Sequence, residues 1–187
     1  MKKYLYVLVV GVLVFLLTGC GGGGGGGGVS QPIVRFTESM STDNPGWPAA
    51  SMTATDVNTT ISNKLIEIDA AGKDSYGNPI EIDIAFTPDL SFQGATYQEA
   101  GYMLIAAKNF PVGNVILDCG PINISNIQIS TNRVSGSFKF TTNVLYNSQT
   151  QTTTIWNYSI TVEGTFDVPA GHWVYSNGQW QQIAKQK

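Results

Sequence analysis

The sequence predicts an all-β protein built as a single antiparallel β-sandwich, with a closed β-barrel as the alternative arrangement. Three observations carry this. Several windows alternate strictly between apolar and polar residues, the period-2 signature of a half-buried strand. No window carries a helical period, and Ser, Thr and Asn crowd the polar faces, where β-branched threonine is comfortable. Turn signals such as Tyr76-Gly77-Asn78-Pro79 and Thr87-Pro88-Asp89 recur at sandwich or barrel spacing. Strands buried on one face favour antiparallel pairing.

The chain opens with a leader, not a strand. Lys2 and Lys3 precede an apolar run from Tyr4 to Leu17, broken only by Gly11. A run of about 14 residues is too short to cross roughly 30 Å of hydrocarbon as a helix, but it suits the central region of a secretion signal. Leu17-Thr18-Gly19-Cys20 follows. It resembles the lipobox of bacterial lipoproteins, in which the cysteine is acylated with palmitate-type chains and the peptide is cut before it. Residues 1–19 are thus expected as a signal peptide and Cys20 as the lipidation site. More than one chain is needed for firm anchorage, at about 0.8 kcal/mol per buried CH₂. Gly21 to Gly28 then reads as a flexible tether with a reach of roughly 15–17 Å, in a linker segment spanning 20–32. It is not a P-loop, because no Gly-Lys-Ser/Thr ending follows.

Residues 33–187 read as one domain, long enough to bury its own core. Ile80 to Phe86 alternates so that Ile80, Ile82, Ile84 and Phe86 share a face, and Val134 to Phe140 does the same. Trp156 to Val162 alternates as well, with Gly164 expected to mark a bend or bulge before Phe166 and Val168. In Ile122 to Ile129 the apolar phase slips by one at Asn126, which predicts a bulge there. Shorter strands are expected at Ser51 to Val57, Lys64 to Asp69, Tyr102 to Ala107 and Val115 to Leu117. Tyr97 and Tyr102 flank a loop as core or rim residues.

Four segments carry a family resemblance. They are Trp47, Met52-Thr53-Ala54-Thr55, Gly136-Ser137-Phe138-Lys139-Phe140 and Gly164-Thr165-Phe166-Asp167-Val168. In this order, from about Ile33 to Pro169, the chain resembles small lipoproteins of Bacteroidota grouped as a family of unknown function. The resemblance implies an all-β fold and an envelope address. It brings no activity and no site residues.

The formal charge is −3, and removing Lys2 and Lys3 with the leader takes it to −5. Nucleic acid is an unsuitable partner, since no basic patch is present to offset phosphate charge. Glu67 and Asp69, then Glu81 and Asp83, each place two carboxylates on one strand face. On neighbouring strands the four could approach one another as calcium ligands or as a glycosidase pair, but the plainer expectation is a solvated sheet face. No metal and no cofactor are expected. With Cys20 acylated, Cys119 remains alone and no internal disulfide can form. Cys119 is expected as a partly buried small hydrophobe. A thiol nucleophile would need a base, and the single histidine is His172.

The C-terminal segment 171–184 reads as an aromatic hairpin. Asn177-Gly178 supplies the two positive-φ positions of a type I′ turn, and Trp173, Tyr175 and Trp180 crowd its strands. It resembles one copy of the hairpin repeats of choline- and glucan-binding surface proteins. If the domain takes a ligand, Trp173, Tyr175 and Trp180 are the expected contacts, with Asn177 adding a polar group. The alternative is that the hairpin closes the sheet and buries its tryptophans. The functional expectation is a non-catalytic envelope lipoprotein on a lipid bilayer, on the outer membrane, binding a glycan or an envelope protein. A structural or assembly role is the alternative. An enzyme ranks behind both, because one histidine, one free cysteine and scattered carboxylates match no triad or metal-ligand spacing.

Overall fold

The computed structural model describes residues 33–44, 49–99, 115–118, 122–147 and 151–184. Cys20, the glycine tether, Trp47, Tyr102 and Cys119 lie outside them. The described chain forms eleven strands: β1 (Arg35–Thr42), β2 (Ala50–Ile61), β3 (Ile66–Asp74), β4 (Pro79–Phe86), β5 (Gln93–Glu99), β6 (Val115–Asp118), β7 (Asn123–Ser130), β8 (Arg133–Asn147), β9 (Thr152–Pro169), β10 (Gly171–Ser176) and β11 (Gln179–Ile183). All pairings are antiparallel, and no helix occurs among the described residues.

The strands join in the order β1-β9-β8-β6-β5-β4-β3-β2-β10-β11, with β7 laid against the first half of β8. β1 is bonded on both sides. It pairs β9 along its whole length and pairs β2 from Thr37↔Thr53 to Met40↔Ala50. This seam brings the sheet round onto itself, while β10 and β11 carry the path past β2 to an open edge.

The inner faces pack across one core in the manner of a sandwich. Phe86 on β4 meets Phe166 on β9, a strand that is not its neighbour, with ring centroids 6.2 Å apart. The Tyr97 hydroxyl on β5 donates to the Met40 sulfur on β1 at 3.8 Å. Phe138 stacks against Phe36 and Phe166. The expected inward faces are buried: Ile80, Ile82, Ile84 and Phe86, then Val134, Phe138 and Phe140. Tyr97 is a core residue, fully covered.

Local signals decide where the strands turn and kink. Asn126 has φ 54° and the β7–β8 register shifts between Ser125 and Gln128, so the slip in the apolar phase is a bulge. At the β3–β4 turn, Asp74 accepts backbone N–H bonds from Tyr76 and Asn78 at 2.8 and 2.7 Å, and Gly77 takes φ 88°. Asn177 and Gly178 have φ 52° and 82°, as the type I′ turn requires.

Two expectations are corrected. Gly164 makes no bulge, because β9 keeps unbroken register through it with both β1 and β8. It is needed for close approach: a Cβ there would strike the Thr37 carbonyl oxygen and the Phe138 ring. The alternating face of Trp156 to Val162 is buried only from Ile160 onward. β1 ends at Thr42, opposite Ile160, so the first half of β9 runs on without that cover and leaves Ile155 and Tyr158 exposed.

Candidate binding groove

The β2 strand changes partner midway. Ala50 to Thr53 pairs β1, whereas Asp56 to Thr59 pairs β10. Between the two, the β2–β3 register shifts from Ala54 to Asp56, and Thr55 stands in none of the paired registers. The bulge turns β2 so that β1 and the C-terminal hairpin diverge from it like the arms of a fork.

A groove of about 450 Å³ occupies the fork. Its walls are Val34 and the first three residues of β1, Arg35 to Thr37, with Thr53 to Thr55 on β2, Thr165 on β9, and Tyr175 and Trp180 on the hairpin. The volume lies within the range of ordinary small-ligand sites. Thr53, Thr37 and Thr165 stand side by side in the strand registers, and the hydroxyls of Thr37 and Thr165 are 3.0 Å apart. Each hydroxyl has one proton and two lone pairs, so a pair bonded to each other keeps capacity for a ligand. Tyr175 and Trp180 are cross-strand partners whose rings meet edge to face, centroids 5.5 Å apart. Tyr175 is 46 % exposed, and Trp180 leans part-buried against the core.

The hairpin therefore divides the expected trio. Tyr175 and Trp180 line the groove together. Trp173 is only 9 % exposed, opposite Val57 on β2, and its indole N–H donates to the Ala170 carbonyl at 3.3 Å. The reason is register. Trp173 lies where β10 is still paired to β2, while Tyr175 lies beyond the last paired residue, Val174. Asn177 sits exposed at the turn and is not among the groove's lining residues.

The charges around the fork are mostly matched. Asp167 receives the Arg133 Nε at 2.6 Å, Glu163 meets the Lys139 Nζ at 2.9 Å, and Asp56 meets His172 Nε2 at 2.8 Å. Arg35, the one charged residue of the lining, makes no ion pair among the described residues.

Compared with known protein families, with curated proteins and with solved structures, the chain matches none.

The acidic face forms elsewhere, on β3 and β4. These strands are neighbours, but the register brings only one carboxylate pair face to face, Asp69 with Asp83; Glu67 lies opposite Ala85 and Glu81 opposite Ala71. Burial, then the charges of Asp69 and Glu81, push Asp83 up to about 6. Asp69 also accepts a bond from the Asn58 amide at 3.1 Å. Among the described residues no three His, Cys, Asp or Glu side chains are grouped to hold a metal ion.

One polar residue escaped the sequence reading. Glu38 points into the core between Phe36 and Met40 and is 3 % exposed. No described residue hydrogen-bonds either of its carboxyl oxygens in good geometry. Burial, then the nearby Asp74 carboxylate, push it up to about 8; the Tyr97 hydroxyl works weakly the other way. The signal lay in Phe36-Thr37-Glu38-Ser39-Met40, whose alternation puts Glu38 on the apolar face.

Proposed function

We propose that this domain is a glycan-binding module, held to a bilayer outside the cytoplasm through an acylated Cys20. The observation that carries the reading is the pairing of two aromatic rings with a row of threonines in one groove. A sugar offers the same two chemistries on one molecule. Its CH faces stack on Tyr175 and Trp180, and its hydroxyls exchange hydrogen bonds with Thr37, Thr53, Thr55 and Thr165. Tyrosine and tryptophan suit such a site because each combines an apolar body with a polar edge.

The lining favours binding over hydrolysis. Glycoside hydrolysis takes two carboxyl groups flanking the bond, and no Asp or Glu among the described residues lines this groove. The anchorage reading rests on the basic residues, apolar run and Leu17-Thr18-Gly19-Cys20 order of the leader.

A glycan array probed with the full chain in detergent tests the reading. Wild type should bind a defined set of sugars, and Trp180→Ala should lose at least about tenfold in affinity, or ~1.4 kcal/mol. No binding to any sugar would overturn it.

A further inference from the structure

The groove's single charge indicates which sugars fit it. Arg35 lies opposite Asp167 in the β1–β9 register and would ordinarily be neutralised by it. Among the described residues that carboxylate pairs with a different cation. Arg133, one strand further on β8, holds Asp167 through Nε at 2.6 Å, and its Nη2 donates to the Asp167 and Ile33 carbonyls at 3.4 and 2.8 Å. Glu163, further along β9, is held by Lys139. Asp56, just past the fork, is held by His172. Among the described residues each of these carboxylates thus has a partner, whereas Arg35 lines the groove and makes no ion pair; a guanidinium carries five N–H donors.

We infer that the groove selects acidic glycans, with the Arg35 guanidinium gripping the carboxylate of a uronic acid whose ring stacks on Tyr175 and Trp180. This rests on the glycan reading and narrows it. A guanidinium matches a carboxylate through two parallel N–H···O bonds, which adds orientation as well as strength. The overall negative charge of the chain does not oppose this at contact range, since salt screens charges beyond about 8–10 Å. A neutral sugar would leave the guanidinium to solvent and gain only the stacking and hydroxyl contacts.

Calorimetric titration of the full chain in detergent tests the inference. The probes are a galacturonate oligomer, the neutral galactose oligomer of the same length and linkage, and an extended Glu-rich peptide. The galacturonate should bind at least about tenfold tighter than the galactose oligomer. Arg35→Gln should erase that preference, the galacturonate losing far more affinity than the galactose oligomer, and Arg35→Lys should restore part of it. Raising salt toward about 1 M should erase the preference in wild type too, which keeps the test decisive if a variant folds poorly. Equal binding of the two oligomers, or an unchanged preference in Arg35→Gln, overturns the acidic-sugar inference and leaves the glycan reading standing. Binding of the peptide with neither sugar overturns both.

Discussion

The Trp173 indole N–H donates to the Ala170 carbonyl at 3.3 Å, across the tight connection between β9 and β10. This bond locks the hairpin root to the end of β9 and gives a buried ring a partner for its one polar group. Trp173 is therefore a structural residue, two positions from a tyrosine that faces the groove. Trp173→Ala should cost about 3–5 kcal/mol, as buried Trp→Ala changes do, and should lower the denaturant midpoint sharply. Trp180→Ala should cost clearly less stability while removing ligand binding. Equal losses of stability in the two variants would contradict this division of labour.

Gly164 predicts a second stability effect. It faces Glu38 on β1 and Phe138 on β8, and its missing Cβ lets the Thr37 carbonyl and the Phe138 ring close in from both sides. Gly164→Ala should destabilise by about 1–3 kcal/mol or more through overpacking, because strand backbones cannot yield as a side-chain tip can. Gly77→Ala has open space around its Cβ and suffers only from φ 88°. Thermal melts of both should rank Gly164→Ala as the more damaging.

The buried Glu38 makes stability depend on pH. In the unfolded chain it ionises near 4.5, whereas in the fold it keeps its proton until about 8. Between these values the folded state holds the extra proton, so the stabilisation is complete below about 4.5 and is lost as pH rises through about 8. Asp83 acts in the same direction over a lower window, from 3.8 to about 6. At about 1.4 kcal/mol per pKa unit the loss amounts to a few kcal/mol. The melting temperature should fall between about pH 5 and pH 8. Glu38→Gln, which cannot ionise, should flatten most of that fall and be the more stable protein at pH 8. A wild-type profile that rises over this range would exclude a protonated Glu38.

The leader supports a separate prediction. Wild-type protein taken from its own membrane should begin at Cys20 and carry the mass of several acyl chains, while Cys20→Ala should remain uncleaved and unacylated. Intact-mass measurement distinguishes the two. An unmodified thiol at residue 20 would remove the anchor from the account.

Much of the fold was legible because strand alternation and turn chemistry are local. Asn126 and the Asn177-Gly178 pair show this: each side chain reports a backbone conformation that it adopts more readily than most. Gly164 was misread because a glycine inside a strand marks either a bulge or a close approach, and only the neighbouring strands decide between them. The groove was half legible. Aromatic crowding pointed to the hairpin, but Trp173 and Tyr175 share a strand face by alternation. What separates them is where β10 leaves β2, a consequence of the Thr55 bulge and of β1 arriving from far away in sequence. Arg35 carried no signal of its own, since its lack of an ion pair among the described residues depends on Arg133, on another strand, pairing with Asp167.

A sugar bound in the Tyr175–Trp180 groove would report itself on the indole rings. The most direct measurement follows the indole N–H resonances of Trp47, Trp156, Trp173 and Trp180 as a glycan identified on the array is titrated in. Each resonance is assigned by single substitution. The Trp180 signal should shift with ligand concentration while the Trp173 signal, held by Ala170, stays in place. A Trp180 signal that stays fixed while the glycan binds, as judged by calorimetry, would contradict binding in this groove.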